Sequence, residues 1–187
     1  MVNKNDLTSE QKAILFIVGK LRERFSIDKL YLQKMVFLIS KLLPDAIAVY
    51  DYEPNDMGMY SPEVELMVKR EEDLGLLKGL EITPLGSKVL SEITKEEEIK
   101  AIEGIFGDLS ELSKEDIVYL VYNLYPEFTT ISKIKDIVDS YKLQSATIDV
   151  FELPEGKVIS IKTDKGNFIR IARHGAVIKI VGYEEGV

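Results

Sequence analysis

The sequence predicts an α+β chain, mainly helical, with helices first and a small antiparallel β meander last. Two observations carry this. From Thr8 to about Tyr141 the apolar residues recur three and four apart, the period of a helix buried on one face. From about Thr147 the period falls to two, and turn residues divide four β-rich runs.

The first helix opens at Leu7-Thr8-Ser9-Glu10-Gln11, where Thr8 and Gln11 stand as a capping box. Ile14, Ile17, Val18, Leu21 and Phe25 give it one buried face. Ser26 is the expected cap of a second helix, apolar around most of its circumference from Leu30 to Leu42, which places it deep in a core or at an interface. The stretch from Ala48 to Pro54 reads as a short strand, with Tyr50 and Tyr52 on one face and Asp51 and Glu53 on the other. Asn55 to Tyr60 reads as a loop. Ser61 and Pro62 start a third helix with Glu63 in its first turn, and Gly75 stops it.

Two strand-like pieces flank Gly79, and Thr83-Pro84 launches a fourth helix. Further helices are expected over Lys95 to Phe106, from a cap at Ser113, and from Thr130 to Tyr141. The final strands are expected at 147–151, 157–162, 167–172 and 176–181, with turns at Pro154-Glu155-Gly156, Asp164-Lys165-Gly166 and Arg173-His174-Gly175. The domains expected are 1–93, a helical extension 94–142 and a β module 143–187, the last too small to fold without packing on a neighbour.

Composition bounds the function. The 187 residues are 45% hydrophobic, enough for a sizeable core. No apolar run approaches a bilayer span and the N-terminus lacks a signal core, so a cytoplasmic chain without membrane attachment is expected. The absence of cysteine removes disulfides, thiolate metal sites and a thiol nucleophile. No phosphate loop or metal spacing is visible, so no cofactor, no metal, no catalytic residue and no enzyme are expected. His174 lies in a tight turn, and the runs Glu71-Glu72-Asp73 and Glu96-Glu97-Glu98 read as solvated faces.

The order helix, helix, strand, helix, strand, strand, helix over residues 9–93 is the winged-helix order. Asp73-Leu74-Gly75-Leu76-Leu77 followed by Ile82-Thr83-Pro84-Leu85-Gly86 resembles winged-helix regulators in which the recognition helix ends "LEeLGLI" and the wing leads into "LTpkG". Leu30 to Leu38, Tyr52-Glu53-Pro54, Gly58 to Glu63 and Asn123 to Phe128 are similar to a pattern in Panacea-like proteins, which include phage-linked antitoxins and archaeal winged-helix proteins. The similarity covers roughly residues 28–130, and Met59 stands where proline is usual there.

The resemblance implies a regulator, with DNA binding as the leading reading and protein binding as the alternative. In one, a homodimer binds double-stranded DNA through Ser61, Lys69, Arg70 and the wing-tip Lys78, extended by Lys29, Lys34 or Lys88. In the other, an antitoxin- or adaptor-type module binds protein through Tyr50, Tyr52, Met57, Met59 and Tyr60, types suited to adaptable contact. A net charge of −8 opposes phosphate binding and favours the second.

Overall fold

The computed structural model describes residues 2–24, 27–44, 46–47, 50–109, 112–141, 146–154, 156–163, 166, 168–175 and 177–184. The chain is α+β. Among the described residues there are seven α-helices and three antiparallel sheets, the largest four-stranded. It divides into two compact units: Met1–Tyr52 with Ser61–Gly104, and Glu53–Tyr60 with Ile105–Val187.

In unit 1, α1 (Ser9–Arg24) begins with the expected reciprocal cap. The Thr8 N–H donates to Gln11 Oε1 at 3.1 Å and the Gln11 N–H donates to Thr8 Oγ1 at 3.3 Å. Its stretch from Ala13 to Val18 is fully buried, and each large apolar side chain there contributes roughly 1.5–3 kcal/mol. Helix α2 (Lys29–Leu42) is capped by Asp28, which accepts the Tyr31 N–H at 2.8 Å. Ser26, the expected cap, lies outside the described residues. Every residue from Tyr31 to Ser40 is buried, as its all-round apolar pattern requires.

Helix α3 (Pro62–Asp73) stops at Gly75, whose φ is +73°. The Gly75 N–H bonds the Glu72 carbonyl and the Leu76 N–H the Glu71 carbonyl, both at 2.9 Å, so the last carbonyls are satisfied as the chain reverses. A hairpin of β3 (Leu77–Lys78) and β4 (Glu81–Ile82) follows, turning at Gly79 with φ +63°. Thr83 then joins the end of α3, the hairpin and the next helix. Its hydroxyl donates to the Gly75 carbonyl at 2.6 Å and accepts the Gly86 N–H at 3.0 Å, capping α4 (Pro84–Ile93). Helix α1 packs against α2, α3 and α4.

In unit 2, the segment expected as strand-then-loop is a hairpin. β1 (Glu53–Asn55) pairs with β2 (Gly58–Tyr60), turning at Asp56-Met57. Tyr50 and Tyr52 precede it outside any strand, and Ala48 and Val49 lie outside the described residues. Gly58 permits the turn with φ +86°, and its missing side chain admits the Tyr122 ring, whose hydroxyl would stand 2.7 Å from a Cβ. Helix α5 (Glu97–Leu109) runs across the boundary between the units, and α6 (Lys114–Leu124) takes the expected Ser113 cap through the Asp116 N–H at 3.0 Å.

The helix expected from Thr130 to Tyr141 shrinks to α7 (Lys135–Asp139), preceded by a 3-10 turn at Pro126–Thr129. Tertiary bonds override the local helical pattern. The Lys133 N–H donates to the Asp56 carbonyl at 2.7 Å, and the Ser132 hydroxyl bonds the Tyr122 hydroxyl at 2.8 Å and accepts the Ile134 N–H at 3.3 Å.

The meander forms as expected, with longer strands: β5 (Ala146–Leu153), β6 (Gly156–Thr163), β7 (Phe168–His174) and β8 (Val177–Glu184), in that spatial order. Ile148, Ile159, Ile161, Ile169, Ile171 and Ile178 bury one face. Arg173 fixes the sheet to the end of α6. Its guanidinium donates to the Leu124 carbonyl, meets Glu127 Oε1 at 2.5 Å and Oε2 at 3.2 Å, and lies 4.0 Å from the Tyr125 ring centre. Lys157 Nζ adds a bond to the Asn123 carbonyl at 2.8 Å. A planar five-donor fork can do all this and an ammonium cannot. Arg173→Lys is therefore expected to cost unit 2 about 2 kcal/mol, read as a lower midpoint in urea. A midpoint equal to wild type would show that the fork is not needed.

Candidate interaction surface on α3 and the β3–β4 hairpin

Helix α3 exposes Pro62, Leu66, Lys69, Arg70 and Asp73. Its inward positions are Val64 and Glu71, both buried. Leu66 is 48% exposed although it is apolar and central in the helix. Arg70 stands one turn on, so the two share a face.

The charges of this face are largely matched within the chain. Lys69 bonds Asp73 at 2.9 Å and approaches Glu72 at 3.7 Å, and the Asp73 carboxylate beside it raises its ammonium above the usual range. Glu65 meets Lys29 at 3.2 Å, and Glu81 on β4 meets Arg22 at 2.6 Å. Among the described residues Arg70 and Lys78 have no ion pair. Lys88 is exposed on α4, while Lys34 is 1% exposed inside α2, where burial pulls its ammonium down to about 7.

Ser61 sits at the N-cap position of α3, fully buried. Its hydroxyl does not cap the helix; it donates to Glu63 Oε2 at 2.6 Å, which holds that carboxyl below the usual range. The Gln33 side chain grips its backbone from both sides. Gln33 Nε2 donates to the Ser61 carbonyl at 2.9 Å, and the Ser61 N–H donates to Gln33 Oε1 at 3.1 Å. This clamp from the buried helix α2 sets where α3 begins.

Compared with known proteins, the chain matches no family model, no curated protein and no solved structure.

The five residues expected to form a protein contact are divided between the units. Tyr50 and Tyr52 belong to unit 1, and Met57, Met59 and Tyr60 to unit 2. Tyr50 is buried, and its hydroxyl and that of Tyr52 have no hydrogen bond. Burial pushes both phenols up, with the Glu63 charge adding to each. The Tyr52 ring meets Phe37 edge-on at 4.8 Å between centroids, a core contact. Met59 is buried and Tyr60 half-buried, while Met57 is 42% exposed at the hairpin turn.

Two residues escaped the sequence reading. Leu66 fits no inward stripe, and that misfit is the only signal it leaves. Glu71 is a correction: it is fully buried, not part of a solvated acidic run. The signal that could have found it is its spacing, seven residues after Val64 and three before Leu74, on the inward stripe of the helix. Neither carboxylate oxygen makes a hydrogen bond. Burial pushes its carboxyl up to about 7, offset in part by the neighbouring Gln11 side chain. Among the described residues no three His, Asp or Glu side chains stand together as a metal site would need, and no helix is long and apolar enough to cross a membrane.

Proposed function

We propose that the chain is a winged-helix regulatory protein whose third helix and wing bind another protein rather than duplex DNA. The order of elements, the Gly75 reversal and the Thr83 cap that returns the hairpin to α4 support the winged-helix reading. The observation that carries the choice of partner is the charge of α3. Its first turn holds Glu63 and Glu65, and Lys69 is already neutralised by Asp73. Phosphates approaching this helix would meet acids first, and affinity for duplex DNA depends on cations free to displace counterions. Leu66 beside Arg70 is instead a pairing suited to a protein contact, an apolar plug next to a side chain favoured at interface centres.

A gel shift with random duplex at low salt tests this, because non-specific electrostatic binding is strongest there. No shift at micromolar protein is expected. A shift that weakens steeply with added salt would return the DNA reading to first place.

A further inference from the structure

The four-stranded sheet ends on two edges, β5 and β8. Each is eight residues long, and edge strands of that length offer unpaired backbone donors and acceptors to another chain. The two edges differ in charge. β5 carries Asp149 and Glu152 and no base. β8 carries one base, Lys179, and one acid, Glu184. Both side chains are exposed, and among the described residues neither side chain has an ion pair or hydrogen bond. They stand on the order of 15 Å apart along one strand, too far to meet each other.

We propose that β8 pairs antiparallel with β8 of a second copy, about a two-fold axis passing between Val181 and Gly182. In that register Lys179 stands opposite Glu184 of the other copy, and the symmetry makes the pair twice. The β-bulge in β8 makes this register possible. Residues five apart on a regular strand point to opposite faces. Here Lys179 pairs with Ala172 and Glu184 with Phe168, four apart on β7, because the ladder shifts between Arg170 and Ile171. Val181 is the inserted residue. Lys179 and Glu184 therefore project from the same face, as cross-strand partners about an axis perpendicular to the sheet must. The centre of the contact is complementary in shape too. Val181 is 48% exposed and falls opposite Gly182 of the other strand, which has no side chain to oppose it. The result is one continuous eight-stranded sheet. A second copy at β5 would find no base on that strand to meet Asp149, and Glu152 is already approached by Lys157 at 3.6 Å.

Sedimentation equilibrium of the full chain at low salt tests the register. Wild type is expected to be a dimer. Lys179→Glu and Glu184→Lys each replace two attractive pairs with two repulsive ones and should raise the dimer dissociation constant roughly tenfold or more. Both positions are exposed, and circular dichroism checks that the fold is kept. The double variant Lys179→Glu with Glu184→Lys should return the dimer to near wild-type strength. A chain that is monomeric throughout, a dimer indifferent to either reversal, or a double variant as weak as the singles would each overturn the proposal.

Discussion

Gly86→Ala is expected to destabilise unit 1 by about 3 kcal/mol or more, lowering its melting temperature by roughly 12–24 °C. A Cβ at Gly86 would stand 2.1 Å from the Leu76 carbonyl oxygen, 3.0 Å from its carbon and 3.1 Å from Ile82 Cγ2. The carbonyl cannot yield cheaply. It accepts the Thr83 N–H at 3.0 Å and the Thr83 hydroxyl at 3.1 Å, bonds that close the β3–β4 hairpin and start α4. A methyl group here therefore forces apart the reversal on which the α3 surface depends. Gly104→Ala is the control, since a Cβ there meets nothing within 4 Å; in a helix interior it should be stabilising by about 0.5–1 kcal/mol. Thermal unfolding of the two variants side by side decides the matter. Equal melting temperatures would mean that α4 does not sit on Leu76 this closely.

The second large effect is on pH dependence. Glu71 has an ordinary carboxyl pKa near 4.5 when unfolded and about 7 when folded, because burial penalises its charged form. The folded state thus favours the protonated acid. Its contribution is intact below pH 4.5 and is lost as pH rises towards 7, with the full loss of about 3 kcal/mol present above that. Glu71→Gln removes the titration. The variant should match wild type in stability near pH 4.5 and exceed it increasingly up to pH 7, after which the gap stays constant. Other groups, Lys34 among them, titrate alike in both proteins and cancel in the difference. Urea midpoints measured from pH 4 to 8 provide the check. Parallel curves for the two proteins would show that Glu71 is not held in this buried state.

Much of the local architecture was legible because the forces behind it are local. The Thr8–Gln11 box, the Ser113 and Thr83 caps and the Gly75 reversal each depend on residues within a turn of one another. The meander was legible for the same reason: its turns announce themselves, and its faces alternate. What escaped depends on distant partners. Gly58 to Tyr60 reads as loop until Glu53 to Asn55 pairs with it. Residues 130 to 134 read as helix until Asp56 and Tyr122 claim Lys133 and Ser132. Tyr50 and Tyr52 read as surface for want of any local sign that Phe37 would cover the second of them. At the candidate surface, cations could be counted from the sequence, but their local neutralisation could not, because Glu65–Lys29 and Glu81–Arg22 join distant segments.

Position 66 offers the most direct test of what occupies the α3 face. A photo-activated cross-linking residue placed there, in the full chain expressed in its native cell, reacts with whatever covers Leu66. The proposed function predicts a covalent adduct to a protein, lost when Arg70 is also changed to Glu. An adduct to nucleic acid, or no adduct in cells where the chain is abundant and folded, would contradict it.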